Sequence, residues 1–329
     1  MASRLPSWLR SKRAAVAPQL GALAVLLGFL GWALRDVWAD AAPRLRNASV
    51  LDLGIALALL AGYYLLFVVG WMRILAAYGI HVRYTVALQA EMISMLAKYV
   101  PGGVWTPAAR VVALRKFGVR DTPVVLATIL LEAGLSAIAG VLVFVVGLAI
   151  IGGADAPLVP LAAFFAVVAF LLHPPVFRAV AKRLLRPFGA HEVASLPGRT
   201  ALALVGFYAA TWPLGGAALF FLLRSVGGDP AVSTIPFLGG ASAVGAIVAV
   251  LVVFAPSGLG VREASMYGLL LAVVAEGVAL GATVLNRLAI TIVEAALLAA
   301  GALFLRGRGA AAAEAREAEP PPDLVPQSR

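Results

Sequence analysis

Apolar runs long enough to cross a bilayer recur along this sequence, and they dictate the solvent in which it folds. They fall at about 18–34, 51–77, 122–151, 157–173, 199–224, 236–254 and 279–305. A helix needs about 20 apolar residues to cross a hydrocarbon core of about 30 Å. Backbone amides in lipid must bond within the chain, so these runs are expected as helices and not as strands. Composition agrees: 62% of the 329 residues are hydrophobic and 13% charged, against about 45–50% and about 25% in soluble domains. The expected fold is therefore all-α, a polytopic transmembrane helix bundle. No soluble part is large enough to be a catalytic module.

The charge pattern supplies an orientation. The net charge is +10, but the basic residues lie in short loops between apolar runs, which argues against nucleic acid as a partner and for cytoplasmic loops beside anionic lipid. They mark the N-terminus (Arg4, Arg10, Lys12, Arg13), Arg73 to Arg83, Arg110 to Arg120, Arg178 to Arg199, and Arg306 with Arg308. The loops at 35–50, 152–157 and 225–235 are poorer in them. Residues 1–17 are expected as a basic cytoplasmic N-terminus, 18–305 as a single transmembrane domain, and 306–329 as a disordered cytoplasmic tail. Segment 175–188, with Arg178, Lys182, Arg183 and Arg186 among apolar residues, reads as an amphipathic helix on the cytoplasmic surface. The run from Pro18 to Leu34 is long for a signal peptide, although Ala39-Asp40-Ala41 resembles a cleavage site; an uncleaved first helix is favoured because further spans follow.

Arg83 and Arg110 belong on one side, so the segment between them must dip in and return as a re-entrant hairpin whose tip is Pro101-Gly102-Gly103. A second break stands at Pro256-Ser257-Gly258, again followed by an arginine, Arg262. The segments Ile129 to Leu135 and Thr291 to Leu297 also echo each other, each with a central glutamate, Glu132 and Glu294. Two halves, about 51–151 and 199–305, thus repeat one plan. The span count makes them inverted: 51–77 runs out to in, 199–224 in to out. The first hairpin enters from inside and the second, 236–276, from outside. The bundle is then six full spans plus two hairpins. In the alternative, up to eight spans, 236–254 crosses fully and 262–278 crosses back. Inverted repeats with broken helices meeting near the midplane mark alternating-access transporters.

The chemistry-bearing residues gather near these breaks. A charge such as Asp at a helix centre costs about 2.5–3.5 kcal/mol on insertion scales, so Glu132 and Glu294 are not expected to face lipid. They are candidates for proton coupling or headgroup contact, or else partners of arginine; Arg287 lies two turns before Glu294 on the same face. Arg110, Arg262 and Arg287 are candidate phosphate ligands, because a guanidinium offers a planar fork to phosphate oxygens. The alternative is anchoring of helix ends at the interface. Gly102, Gly103, Gly258 and Gly260 would let backbone amides approach the same anion at helix N-termini. Lys98, Tyr99 and Trp105 flank the first tip as a gate, a headgroup contact or interfacial anchors. Glu91 is expected to pair with Lys98, and Arg262 with Glu263. Trp212-Pro213 with Gly215-Gly216 predicts a kink. The absence of cysteine and the presence of only three histidines leave no catalytic thiol, metal or cofactor expected, and no motif of a membrane enzyme is present.

Lys98-Tyr-Val-Pro-Gly-Gly-Val-Trp-Thr-Pro-Ala-Ala-Arg110 and Pro256-Ser-Gly-Leu-Gly-Val-Arg-Glu263 give the chain a resemblance to a known family. Over about 50–305 it is similar to the transmembrane region of lysylphosphatidylglycerol synthases, the flippase part of the bacterial multiple-peptide-resistance proteins and their stand-alone relatives. The resemblance implies a bacterial inner-membrane protein, termini cytoplasmic, that handles anionic or aminoacylated phospholipids or polyprenyl-phosphate lipids. Full synthases carry a soluble aminoacyltransferase domain after the membrane part. Here a short tail follows, so synthase activity is not expected. The rival readings are a membrane-embedded lipid or glycan transferase and an accessory scaffold of a separate cell-envelope synthase or transferase. The oligomeric state is left open.

Overall fold

The computed structural model describes residues 35–98, 105–152, 196–252 and 258–317, with isolated positions between 166 and 183. Helix α1 spans Arg35–Arg46, α2 Val50–Ala77, α3 Tyr84–Ala97, α4 Trp105–Lys116 and α5 Thr122–Ile150. Helix α6 spans Gly198–Ser225, α7 Ile235–Leu251, α8 Val261–Leu270 and α9 Glu276–Glu317. A 3-10 turn, Val232–Thr234, leads into α7. No strand occurs among the described residues. Five helices there are long and apolar enough to cross a membrane: α2, α5, α6, α7 with its leading turn, and Glu276–Leu303 of α9. The expected spans at 18–34 and 157–173, the N-terminal 17 residues and segment 175–188 lie outside the described residues, isolated positions aside.

Caps fix where the long spans begin. The Ser49 hydroxyl accepts the Asp52 N–H at 3.3 Å at the start of α2. Asp121 accepts the Val124 N–H at 3.2 Å at the start of α5. Each supplies a partner to a backbone donor that the first helical turn leaves free.

The register of the contacts gives the direction of every helix. Along α2 and α6 residue numbers rise on one side as they fall on the other. The Ser49 N–H donates to the Ser225 carbonyl at 2.9 Å, and Asp52 meets Arg224 at 3.9 Å. Tyr63 stacks on Trp212 with centroids 5.7 Å apart, and Phe67 on Tyr208 at 4.8 Å. Helices α2 and α6 are therefore antiparallel over most of their length. Helices α5 and α7 are antiparallel too, with Gly147 against Phe237, Phe144 against Gly240 and Gly140 against Ala243. So are α9 and α3, with Gly301 against Gln89 and Glu294 against Lys98. Small residues let these backbones close up, the usual means of helix association in lipid. Gly216 and Gly239 do the same where α6 meets α7, beside Pro213 within α6.

Both short pairs are hairpins. In the first, Arg110 of α4 lies against Ser94 and Glu91 of α3. In the second, Gly245 and Ala249 of α7 face Arg262 and Gly258. Helix α8 has ten residues, about 15 Å, too short to cross a core of about 30 Å. Helix α7 with its leading turn, by contrast, is long enough. The base of the α7–α8 hairpin lies at the end where α5 finishes, since Gly147 touches Pro236. The base of the α3–α4 hairpin lies at the other end, where α9 reaches Gln89. The two hairpins thus have their bases at opposite ends of the bundle.

Two expectations fail. Residues 35–46 are not a loop but helix α1, which packs on α9 and buries Ala41 completely. The tail is not disordered from its start, because α9 continues to Glu317. Its last stretch is rich in alanine, glutamate and arginine, all strong helix formers. Extending a helix that already exists avoids the cost of nucleation.

Candidate functional site

The densest group of buried charge lies between the first hairpin and α5. Arg110 bonds through one terminal nitrogen to Glu132 and through the other to Glu91. Its Nε donates to the Ser94 hydroxyl at 3.3 Å. Its guanidinium lies 4.4 Å above the Trp71 ring, whose Nε1 donates to the Thr128 hydroxyl at 3.2 Å. Glu91, Arg110 and Glu132 are 1%, 3% and 4% exposed, so this part of the site is closed to water. Geometry explains the choice of arginine: a planar fork accepts two carboxylates where an ammonium is a single point. One oxygen of each carboxylate, Glu91 Oε2 and Glu132 Oε1, has no hydrogen-bond partner among the described residues. Tyr208 brings its hydroxyl to Glu132 from α6.

A second group lies at the tips. Lys98, one residue past α3, donates to Glu294 of α9 at 2.5 Å. The Tyr64 hydroxyl donates to the same carboxylate oxygen at 2.7 Å. Glu294 is completely buried. At the start of α8, Gly260 has φ +84°, a left-handed conformation that glycine adopts without a Cβ clash. Its N–H donates to Glu263 Oε2 at 2.8 Å. The other oxygen of Glu263 meets Arg287 of α9 at 3.4 Å. Arg262, beside Gly245, is partly buried and makes no ion pair among the described residues.

Aromatic side chains of α2 join the groups. Tyr63 lies within electrostatic range of Arg262, Glu132 and Glu91. Lys98 interacts likewise with Arg262 and Arg287. The ensemble holds four cations, Lys98, Arg110, Arg262 and Arg287, and four carboxylates, Glu91, Glu132, Glu263 and Glu294. It is neutral as a whole but not locally. The Arg110 group has one carboxylate in excess, and Arg262 has no paired carboxylate among the described residues.

Several pairings differ from those expected of the sequence. Glu91 pairs with Arg110, not with Lys98. Glu294 takes Lys98, not Arg287. Glu263 takes Arg287 and the Gly260 amide, not Arg262. Spacing along a helix suggests same-helix partners, but α3, α4, α5, α8 and α9 supply nearer ones across helix contacts. Arg110 is held by two carboxylates and the Gly260 amide by one, so neither is open to an anion in this conformation. Trp105 starts α4 and is 46% exposed. Gly258 has φ +65° and packs on Ala249. Tyr99, Pro101, Gly102, Gly103 and Pro256 lie outside the described residues. Tyr63, Tyr64, Trp71 and Tyr208 escaped the sequence reading. Their signal was the presence of hydroxyl- and indole-bearing aromatics deep inside apolar runs, where they need polar partners.

The sequence profile of one protein family, described as the lysylphosphatidylglycerol synthase TM region, matches residues 19–297. That range covers both hairpins and every charged residue of the site. No curated protein matches the chain.

Proposed function

Because the chain belongs to the lysylphosphatidylglycerol synthase transmembrane-region family, we propose that this multi-pass membrane protein translocates lipids and does no synthesis itself. The substrates we infer are anionic, aminoacylated or polyprenyl-phosphate lipids. Arg262 supports this reading best: it is a guanidinium at a helix break, without a paired carboxylate among the described residues, in a bundle whose hairpins have their bases at opposite ends. It suits a phosphate, which a guanidinium binds through charge-assisted bonds. In the alternating-access reading, the α2–α5 and α6–α9 halves are inverted repeats that rock about this point. The pairs Lys98–Glu294 and Glu263–Arg287 join the first hairpin, the second hairpin and α9, so they are contacts that rocking would exchange. The more basic ends, around Arg73, Arg83, Arg115, Lys116, Arg120 and Arg199, face the cytoplasm by the positive-inside rule. The membrane is the bacterial inner membrane, and a separate cell-envelope transferase is a candidate partner.

The test is reconstitution of the full chain in proteoliposomes with a panel of fluorescent lipids. Arg262→Ala is expected to slow translocation of the lipid that wild type moves by about tenfold or more, the loss of one charge-assisted contact of about 1.5–3 kcal/mol. A wild-type rate in Arg262→Ala would remove the site, and no lipid movement by wild type would remove the function.

A further inference from the structure

Arg110 sits between two carboxylates carried by different parts of the fold. Glu91 is on α3, in the same hairpin as Arg110, whereas Glu132 is on α5, outside it. All three are buried. A guanidinium offsets one carboxylate, so the closed group holds one negative charge in surplus away from water. Such a pair resists ionising twice, because burial and mutual repulsion both act against the second charge. Parting the hairpin from α5 removes the surplus. Arg110 leaves with Glu91, one to one, and Glu132 is left to water, which solvates its charge.

We propose that this group binds a single proton, carried on Glu91, whenever the first hairpin is seated on α5, and that this proton is the coupling ion of the transport cycle, a role that rests on the lipid-translocation reading above. The step balances simply. Glu91 takes a proton from water and becomes a carboxylic acid as the hairpin seats, and returns it to water as the hairpin parts. No electron and no covalent bond to the lipid is involved. Glu132 is the better held anion, because the Tyr208 hydroxyl of α6 bonds it in addition to Arg110. Glu91 Oε2 has no hydrogen-bond partner among the described residues and is the open position for the proton. The seated state binds one proton more than the parted state, so acid favours seating. Above the titration of the group, the seating constant falls about tenfold per unit rise in pH, as linkage requires for one proton.

Neighbouring charges do not remove the surplus. Glu91 feels Arg110, Glu132, Glu294 and Lys98 most strongly. Lys98 and Glu294 enter that set together, one cation and one anion, and the lysine donates to the glutamate at 2.5 Å. Glu132 feels Arg110 and Tyr208. Helix α2 presents Tyr63, within range of both carboxylates, and Trp71, whose ring lies against the Arg110 guanidinium; neither carries a charge near neutral pH. On α4 the next basic residue, Arg115, is exposed and bonds Thr122. Helix α7, packed on α5, has no titratable side chain between Ile235 and Leu251. Arg262 of α8 acts on Tyr63, Tyr64 and Lys98 and is not among the main charges felt by either carboxylate.

Infrared spectroscopy of the purified full chain in detergent reads the proton directly, since a protonated carboxyl has a C=O stretch separate from the carboxylate bands. Wild type near neutral pH is expected to show one such band, which shifts in heavy water and on isotopic labelling of glutamate. Glu91→Gln removes the acid itself. Glu132→Gln removes the second carboxylate, so that Glu91 ionises against Arg110. Each variant alone is therefore expected to lose the whole band. Wild type without the band overturns the proton site, as does a band that does not follow the glutamate label; both results stand even where a variant fails to fold. A band that survives in either folded variant overturns the assignment to this group. The coupling role is read in proteoliposomes, as a response of fluorescent-lipid movement to an imposed pH gradient, expected in wild type and lost in Glu91→Gln. Movement by wild type that ignores the gradient overturns the coupling and leaves the translocation reading standing. No lipid movement by wild type overturns that reading and the coupling with it, while the spectrum still decides the proton site.

Discussion

Lys98 and Glu294 stand 196 positions apart in sequence, yet the lysine ammonium donates to the glutamate at 2.5 Å. The pair ties the tip of the first hairpin to the middle of the last span. Glu294 has no exposure, so its charge rests on this contact and on the Tyr64 hydroxyl. Removing the lysine alone, as Lys98→Met, is expected to cost about 3–5 kcal/mol, because a buried carboxylate loses its cation. The double variant Lys98→Met with Glu294→Gln should recover a large part of the loss. Thermal unfolding of the purified protein in detergent reads both; a double variant no better than the single would contradict the pairing.

Arg110 and Arg262 look alike in sequence, but the structure separates them. Arg110→Ala leaves two buried carboxylates without their cation and is expected to cost about 3–5 kcal/mol of stability. Arg262→Ala breaks no ion pair among the described residues and should cost less than about 1 kcal/mol, while lipid movement falls. Melting temperature and translocation rate, measured on the same two preparations, check the contrast. Equal destabilisation would count against it.

The antiparallel pairing of α2 with α6 is testable because the chain has no cysteine. The backbone bond from Ser49 to Ser225, 2.9 Å long, brings the two residues into direct contact, as a disulfide with its Cα separation of about 4.4–6.8 Å requires. Ser49→Cys with Ser225→Cys should cross-link on oxidation. Ser49→Cys with Gly198→Cys should not, because Gly198 begins α6 at its opposite end. With a protease site placed between 152 and 196, the cross-linked fragments stay together on a non-reducing gel and separate on a reducing one.

Close helix contacts make some glycines irreplaceable and leave others free. A Cβ on Gly147 would collide with the backbone of Pro236 and Phe237. Gly147→Ala should therefore destabilise by about 1–3 kcal/mol, the usual cost of forcing atoms into a packed contact. Gly206, exposed on α6, has nothing within 4 Å of an added Cβ. Gly206→Ala should be neutral or stabilise by up to about 1 kcal/mol, since alanine is the better helix former. Paired melting curves distinguish the two.

The membrane fold was legible because lipid imposes two demands that a sequence cannot hide: runs of about 20 apolar residues and internal bonding of every amide. The interruptions between α3 and α4 and between α7 and α8 were visible for a related reason, since proline and glycine inside such runs interrupt that bonding. Glu132, Glu294 and Arg110 stood out because charge in hydrocarbon demands a partner. The sequence by itself thus determined that the chain is helical, where it breaks, and which charges must be buried. It did not determine which charge meets which. Spacing along one helix offered Lys98 for Glu91, Arg287 for Glu294 and Arg262 for Glu263. The tertiary structure decided otherwise, because helices crossing in opposite directions brought nearer partners from α4, from the end of α3 and from α9. A buried ion pair is chosen by distance and desolvation, not by separation along the chain. That choice placed two carboxylates on Arg110 and left Arg262 without one among the described residues.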